Sequence, residues 1–228
     1  MKNILNDKID KYFDGMVKNL QEFVKIRSVL EDTEPNSTAP FGGAIDEALK
    51  YVLNKGKELG LKTKNVDGFA GYIEYGDGPD MVGILGHVDI VPEGEGWSVD
   101  PYGGEVKEGK LYGRGAMDDK GPILAVLYGL KAIKESNLPV SKRARLIIGT
   151  DEESGGRCIK HYLEKEEAPI YGFSPDASFP IIYAEKGILR FELNKKFDVT
   201  KNDRPVLKSI KGGTRVNVTS NFLFNSKR

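Results

Sequence analysis

Apolar residues at three- and four-residue steps dominate the start of the chain. They recur from Leu5 to Val24 and again from Ile45 to Leu59, and this spacing places them on one face of a helix. The pattern predicts an amphipathic helix over roughly the first 27 residues. It predicts a second helix that ends at Gly56 or Gly60, with a turn-rich stretch from Glu31 to Gly43 between the two.

Short apolar runs bounded by turn residues follow, and they predict strands. Two of them, Met81–Leu85 and Arg145–Gly149, are nearly continuous in apolar residues, which is typical of strands buried on both faces. Between them, Pro122–Ile133 is apolar almost all round and predicts a helix packed inside the domain. Further predicted elements are strands at Gly71–Tyr75 and Lys110–Tyr112 and a helix at Arg157–Lys165. The alternation indicates a layered α/β domain with helices on the faces of its sheet.

The pattern changes after Gly187. Residues Ile188–Phe197 alternate apolar and polar side chains, which predicts a half-exposed antiparallel strand. We therefore interpret residues 1–186 as part of a first domain and residues 187–228 as the beginning of a second, α+β domain.

Composition narrows the classes of partner. Lysine and arginine together number 34, equal to aspartate and glutamate, so the formal net charge is zero. This balance gives no electrostatic basis for binding nucleic acid or an anionic membrane, and no apolar run is long enough for a membrane span or a signal peptide. We expect a cytoplasmic protein with a small neutral or zwitterionic substrate. The single cysteine, Cys158, is expected to pack in the interior.

Histidine and carboxylates follow the predicted strands. His87 and Asp89 come directly after one buried strand, Asp118-Asp119 stand between a short strand and the apolar helix, and Asp151-Glu152-Glu153 follow the other buried strand. Each group alone has an ordinary explanation as a helix cap or a solvated surface charge. Their joint occurrence at strand ends, where unpaired charge is costly, favours a site for divalent cations that serves a two-metal hydrolase.

The chain has only two histidines. His161 lies in the charged amphipathic segment around Arg157–Lys165, which predicts a surface or half-buried side chain rather than a ligand. One terminal ligand that a two-metal site would normally include therefore has no counterpart here.

A family resemblance rests on several of these motifs together: Gly86–Pro92 with the following Gly96-Trp97 and Asp100-Pro101, Gly113–Gly121, Asp151–Gly155, Ser174–Pro180 and Glu185-Lys186-Gly187. Together they resemble the co-catalytic zinc peptidases and deacylases related to carboxypeptidase G, acetylornithine deacetylase and succinyl-diaminopimelate desuccinylase. Within that family the chain is most similar to the PepV-type bacterial dipeptidases.

The resemblance implies two divalent metal ions, zinc first and manganese or cobalt as alternatives, and hydrolysis of a dipeptide by a water that the metals activate. In it, His87 binds one ion, Asp118 bridges both, and a cis peptide bond joins Asp118 to Asp119. Asp89 orients the imidazole and Glu152 acts as the general base. The resemblance makes Glu153 a ligand of one ion and Asp176 the terminal ligand of the other.

The match covers the N-terminal half of the family's pattern: most of the metal site and the start of a lid domain, whose opening Lys211–Asn217 resembles. A later metal-binding histidine and a lid histidine have no counterpart. We therefore also consider an N-acyl amino acid deacylase and a non-catalytic remnant. Nucleotide binding through Gly113-Arg114-Gly115 is disfavoured, because the lysine and hydroxyl of a phosphate loop are missing at the required spacing.

Overall fold

Helices and strands alternate along the part of the chain that the computed structural model describes, residues 2–31, 38–178, 180–187, 189, 191–195, 207–212 and 223–227. The helices are α1 (Lys2–Val24), α2 (Gly43–Glu58), α3 (Gly121–Glu135) and α4 (Arg157–Lys165). The strands are β1 (Lys62–Val66), β2 (Ala70–Tyr75), β3 (Met81–His87), β4 (Glu105–Lys107), β5 (Lys110–Tyr112), β6 (Arg143–Gly149), β7 (Tyr171–Phe173), β8 (Leu207–Gly212) and β9 (Leu223–Lys227). By their contacts the residues fall into two units, Met1–Pro180 and Ile181–Arg228.

A five-stranded sheet in the order β1-β2-β6-β3-β7 forms the centre of the first unit. Strand β2 pairs antiparallel with β1 and β6, whereas β6, β3 and β7 run parallel to one another. The carboxyl ends of three strands therefore meet at one edge of the sheet, and loops that follow such strands are where open α/β sheets place their ligands.

Strand β6 shows why the sheet lies between helices. Leu146 and Ile148 belong to the larger core cluster, which α2 and α3 also build, whereas Ile147 packs with Tyr162 of α4. Successive side chains of a strand point to opposite faces, so a continuous apolar run requires cover on both sides. Burial of each such side chain contributes about 1.5–3 kcal/mol. The predicted layered α/β architecture is confirmed.

The segment after α1 is tied to the loop after β3. The Ser28 hydroxyl donates to the Val88 carbonyl at 2.6 Å, and Val29 forms a parallel bridge with Ile90. The buried Lys120 ammonium donates to the carbonyls of Phe23 at 3.1 Å and Ile26 at 2.6 Å. The lysine bonds satisfy carbonyls at the end of α1 and just after it. Together these contacts attach the segment that follows α1 to the loop after β3 and to the turn before α3.

Glycine positions explain how α2 ends. Gly56 lies inside the helix, where an added Cβ would stand 2.7 Å from Ile73 Cδ1, so it serves close packing on the sheet. Gly60 follows the helix with φ of 68°, the left-handed conformation that commonly terminates helices. Of the two predicted end positions, Gly60 is the one the structure uses.

The predicted elements of the first unit are present, with shifts of a few residues at their ends. The first helix ends at Val24 rather than near residue 27, and β3 continues to His87. Cys158 is buried in the larger core cluster, as expected. Residues 32–37 of the predicted turn-rich stretch lie outside the described residues.

The predicted strand at 188–197 is wrong for the described positions of this range. Positions 189 and 191–195 form no strand, and Leu189, Phe191 and Leu193 are more than two-thirds exposed. A half-exposed strand needs a partner to complete its hydrogen bonds, and the sequence alternation alone does not supply one. Positions 188, 190, 196 and 197 lie outside the described residues.

In the second unit, β8 and β9 pair antiparallel, from Leu207 opposite Lys227 to Gly212 opposite Leu223. Residues 213–217 of the stretch that resembles a lid opening lie outside the described residues. The interpretation of residues 187–228 as the beginning of a lid domain stays a prediction. Across the described part of the chain, no helix combines the length and the apolar character needed to cross a membrane.

Candidate metal centre at the carboxyl edge of the sheet

Polar side chains at or just after the ends of three strands come together at the carboxyl edge of the sheet. His87 is the last residue of β3, Glu152 lies three residues after β6, and Asp176 lies three residues after β7. A fourth side chain, Asp118, comes from the irregular turn Ala116–Lys120 between β5 and α3. Because β6, β3 and β7 are parallel, residues that are far apart in the sequence lie close together at this edge.

The Nε2 atom of His87 is the point on which these side chains converge. It lies 3.0 Å from Asp118 Oδ1, 3.2 Å from Asp176 Oδ2 and 4.0 Å from Glu152 Oε2. The His87 side chain is only 2% exposed, while those of Asp118 and Glu152 are more than half exposed. The imidazole therefore forms the buried floor of a centre that opens to solvent.

Asp89 holds the opposite side of the imidazole. Nδ1 of His87 lies 2.9 Å from the Asp89 carbonyl oxygen and 3.4 Å from its carboxylate. A donor at Nδ1 leaves Nε2 free to bind a cation, since the bond made by one ring nitrogen sets the role of the other. The Asp89 carboxylate also accepts the backbone N–H groups of Glu152 at 3.1 Å and Glu153 at 3.0 Å.

Asp119 is a part of the centre that the sequence did not assign. Its side chain is fully buried, and Oδ2 accepts the backbone N–H of His87 at 3.0 Å. The Asp118–Asp119 peptide bond is cis, as the family resemblance implied. Gly86 leaves room for this approach, because a Cβ there would lie 2.6 Å from Asp119 Oδ2.

Burial changes the protonation of this group of carboxyls. Desolvation raises the pKa of Asp119 to about 7, and among the described residues its Oδ1 has no hydrogen-bond partner. Desolvation, assisted by neighbouring carboxylates, also raises the pKa of Glu152, Glu153 and Asp176. The centre thus carries more acidic groups than its own positive charge can balance.

The pKa of His87 is raised as well, although its burial acts against this. Burial alone would lower the pKa of its imidazole, but the hydrogen bonds to Asp118 and Asp89 outweigh burial and raise it to about 12. In return, the contact with His87 lowers the pKa of Asp118. The surroundings therefore favour positive charge at this imidazole.

The donor set fits a divalent metal ion. His87, Glu152 and Asp176 each offer a ligand atom within 4.8 Å of the others, and imidazole nitrogen with carboxylate oxygen suits zinc, manganese or cobalt. The unpartnered Asp119 oxygen and the raised carboxyl pKa values point the same way, since a cation would offset the excess of negative charge.

Not every predicted site residue stands in this set. Glu153 is held through its backbone N–H by Asp89, and its carboxyl is close enough to Asp118 and His87 to respond to their charges. His161 is confirmed as a half-buried histidine of α4 away from the centre: Nε2 lies 2.9 Å from Asp67 Oδ2, and the ring stacks on Phe69.

Comparison with known proteins identifies the family. The family model "Peptidase family M20/M25/M40" matches residues 83–216. "Putative dipeptidase YtjP" of Bacillus subtilis (strain 168) is 48% identical over 206 residues, which cover 90% of this chain and 44% of the relative. "Putative dipeptidase" of Staphylococcus epidermidis is 40% identical over 218 residues, which cover 95% of this chain and 46% of the relative. The chain thus spans less than half the length of these relatives.

Solved structures show the same fold. Human carnosine dipeptidase 1 superposes with a TM-score of 0.68 and 27% identity over 78% of this chain and 42% of that one. The dipeptidase Dug1p of Saccharomyces cerevisiae superposes with a TM-score of 0.60 and 21% identity over 72% of this chain and 37% of that one, a likeness of fold. With the family model covering more than half of its residues, the chain belongs to the peptidase family M20/M25/M40.

Proposed function

We propose that this chain carries the larger part of the metal site of a metal-dependent dipeptidase. The observation that carries the proposal is the convergence of Asp118, Asp176 and Glu152 on one buried imidazole nitrogen, at 3.0, 3.2 and 4.0 Å. The names of the relatives supply the substrate class, a small peptide, and the zero net charge of the chain is compatible with a zwitterionic one.

The site would hold two divalent ions, zinc by preference. His87 is proposed as a ligand of one ion and Asp118 as a residue that serves both. Glu153 is proposed as a ligand of one ion and Asp176 as the terminal ligand of the other. Bound metal supplies Lewis-acid activation of a water and of the scissile carbonyl. The chain's own contribution is to hold these ligands in position on rigid strand ends.

Glu152 is proposed as the general base. It reaches the centre without being locked to it, since Oε2 lies 4.0 Å from His87 Nε2 and the side chain is 58% exposed. Burial raises the pKa of its carboxyl, that is, in the direction of neutral pH. The carboxylate can accept a proton from the attacking water and then deliver it to the leaving amine, a role best filled by a group that titrates near the working pH.

Asp89 and Asp119 are proposed as supports for His87. Asp89 fixes the ring through Nδ1, and Asp119 fixes the backbone through the N–H. Both side chains are almost completely buried, so neither is positioned to meet a substrate.

A second candidate function is metal binding without hydrolysis. It is favoured by one observation: His161 is engaged with Asp67 and Phe69, so His87 is the chain's single histidine at the centre. A partner that contributes a further ligand would then be needed for turnover.

The test is hydrolysis of a small dipeptide panel by the purified 228-residue chain with Zn²⁺ or Mn²⁺, beside Glu152→Ala. Loss of a general base costs about 10²–10⁴-fold in rate, so the variant should fall to background while still binding metal. N-acyl amino acids in the same panel separate a dipeptidase from a deacylase. Metal binding with no turnover above the variant would favour the second candidate, and absence of metal binding would refute both.

A further inference from the structure

The loop between β6 and α4 carries Glu152 and Glu153, and two buried carboxylates hold it. Asp89 accepts the backbone N–H groups of both glutamates. At the start of the loop, the Asp151 carbonyl accepts the N–H groups of Gly155 at 3.2 Å and Gly156 at 2.7 Å. The loop is therefore closed on itself and attached to the end of β3.

Arg157 completes this arrangement. Its Nε donates to Asp151 Oδ2 and its Nη2 to Asp151 Oδ1, both at 2.7 Å, and its backbone N–H donates to Oδ2 at 3.0 Å. The two side-chain bonds form the bidentate arrangement of guanidinium and carboxylate, the most directional of protein ion pairs. The ring of Phe41 lies under the guanidinium at 4.7 Å.

The charge of Asp151 makes this contact necessary. Its side chain is 0% exposed, whereas that of Arg157 is 58% exposed. A carboxylate withdrawn from water needs a compensating partner, and Arg157 supplies it from the solvent side. Cys158 packs in the core one residue further on, which anchors the start of α4 and so gives the guanidinium a fixed origin.

We infer that Arg157 is a positioning residue of the site: its bidentate bond to Asp151 holds the loop 151–156 in the conformation that presents Glu152 and Glu153 to the centre at His87. The inference rests on the proposed function for what the two glutamates do. It goes beyond it by assigning a role to a side chain that faces solvent and touches none of the proposed ligands.

The consequence is specific to one loop. Without Arg157, the Asp151 carboxylate would turn toward water, and the bonds from Glu152 and Glu153 to Asp89 would loosen with the loop. His87, Asp118 and Asp176 belong to other segments and should keep their places. Binding of one ion should weaken more than the other, since Glu153 is proposed to serve only one.

The experiment compares Arg157→Met with Arg143→Met in the full 228-residue chain. Arg143 is a matched control, because it also forms a bidentate pair, with Glu167, but at the opposite end of β6. The first readout is amide hydrogen exchange at Glu152 and Glu153, measured by NMR without metal. The second is titration with Co²⁺, followed by its visible absorption.

Arg157→Met is expected to speed exchange at both amides at least tenfold and to weaken binding of one Co²⁺ at least tenfold, with the second ion changed less than threefold. Arg157→Lys, which keeps the charge and loses the paired geometry, should fall between wild type and Arg157→Met. Asp151→Asn/Arg157→Met removes the buried charge, and it serves as the folded variant if Arg157→Met does not fold; it should show the same loosening.

Exchange at Glu152 and Glu153 within twofold of wild type, or an equal increase in Arg143→Met, would overturn the inference. Failure of the proposed function looks different: the wild-type chain would bind no Co²⁺ although its loop amides are protected. In that case the exchange comparison still decides whether Arg157 holds the loop.

Discussion

Two clusters of charged residues lie at opposite ends of β6, and they are balanced in different ways. At the amino end, Arg145 is 3% exposed. Its guanidinium lies 2.6 Å from the Glu74 carboxylate of β2 and donates to the Tyr162 hydroxyl at 3.0 Å. Arg143 and Glu167 complete this set, which we term the arginine cluster. At the carboxyl end, one imidazole faces several carboxylates.

The two clusters differ in how the charges of their carboxylates are compensated. In the arginine cluster each buried carboxylate has a guanidinium within bonding distance, so the cluster is satisfied from within the chain. At the candidate metal centre, burial and the neighbouring carboxylates raise the pKa of Glu152, Glu153 and Asp176. Perturbed carboxyls in an open site are candidates for functional positions, and the contrast with the arginine cluster supports the proposed metal site.

Breaking the balanced cluster should have the largest effect on stability. Arg145→Met leaves Glu74, whose side chain is 7% exposed, with Arg143 at 3.4 Å as its remaining guanidinium partner. Removing one member of a buried pair costs about 3–5 kcal/mol, and we expect the lower end of that range in urea unfolding because Arg143 remains.

Two companion variants test this expectation. Glu74→Met/Arg145→Met should recover most of the loss, because replacing both charges removes the unpaired carboxylate. Lys62→Met, which removes an exposed pair with Asp77, should leave the free energy of unfolding nearly unchanged, because water screens such pairs. An equal loss in Arg145→Met and Lys62→Met would mean that the arginine cluster is not structural.

Adding metal should have the next largest effect, and only at the other cluster. A ligand that binds the folded state alone stabilises it by about 2.7 kcal/mol at one hundred times its Kd. Zn²⁺ or Co²⁺ should therefore raise the unfolding midpoint of the wild-type chain, and a chelator should reverse the gain. Asp176→Asn should lose most of the gain, whereas Arg145→Met should keep it. Equal gains in all three proteins would place the bound ion elsewhere.

The smallest expected effect is a gain in stability from removing a proposed ligand. Glu153→Gln should stabilise the metal-free chain at pH 7 by about 0.5 kcal/mol, a value limited by solvent screening. Burial, assisted by the charge of Asp118, raises the pKa of Glu153 above its usual 4.5, so the folded chain holds this proton more tightly than the unfolded chain.

The sign of the pH dependence follows from that shift. Stability contributed by the protonated form is fully present below the unfolded pKa and is lost as the pH rises through the higher folded pKa. The advantage of Glu153→Gln should be absent below pH 4 to 5 and should grow toward pH 7. An advantage that is constant from pH 4 to 7 would contradict a charge-based origin.

The sequence predicted the parts of the site that follow buried strands. His87, Asp89 and Glu152 could be located because β3 and β6 are apolar runs whose carboxyl ends are recognisable in the sequence. Asp176 follows β7, a three-residue strand with exposed side chains, and only the family resemblance identified it. Local pattern is informative where burial is complete and carries little signal at a short edge strand.

Two roles needed the three-dimensional structure. The bond from His87 N–H to Asp119 depends on the path of the turn at 116–120, which spacing alone does not specify. The pairing of Arg157 with Asp151 joins residues six apart across a loop and a helix start, where a charge pair usually indicates only a solvated surface. An acidic residue followed by an arginine at the first position of a helix is the signal that could have suggested it.

The bonds made by Asp89 also bear on how this site could change over time. One carboxylate joins the strand that carries His87 to the loop that carries Glu152 and Glu153. Replacing Asp89 would disturb the imidazole and release the loop at the same time. Adaptation at this edge of the sheet should therefore proceed through the surrounding Asp118 and Asp176 segments, with the unit joined by Asp89 inherited as a block.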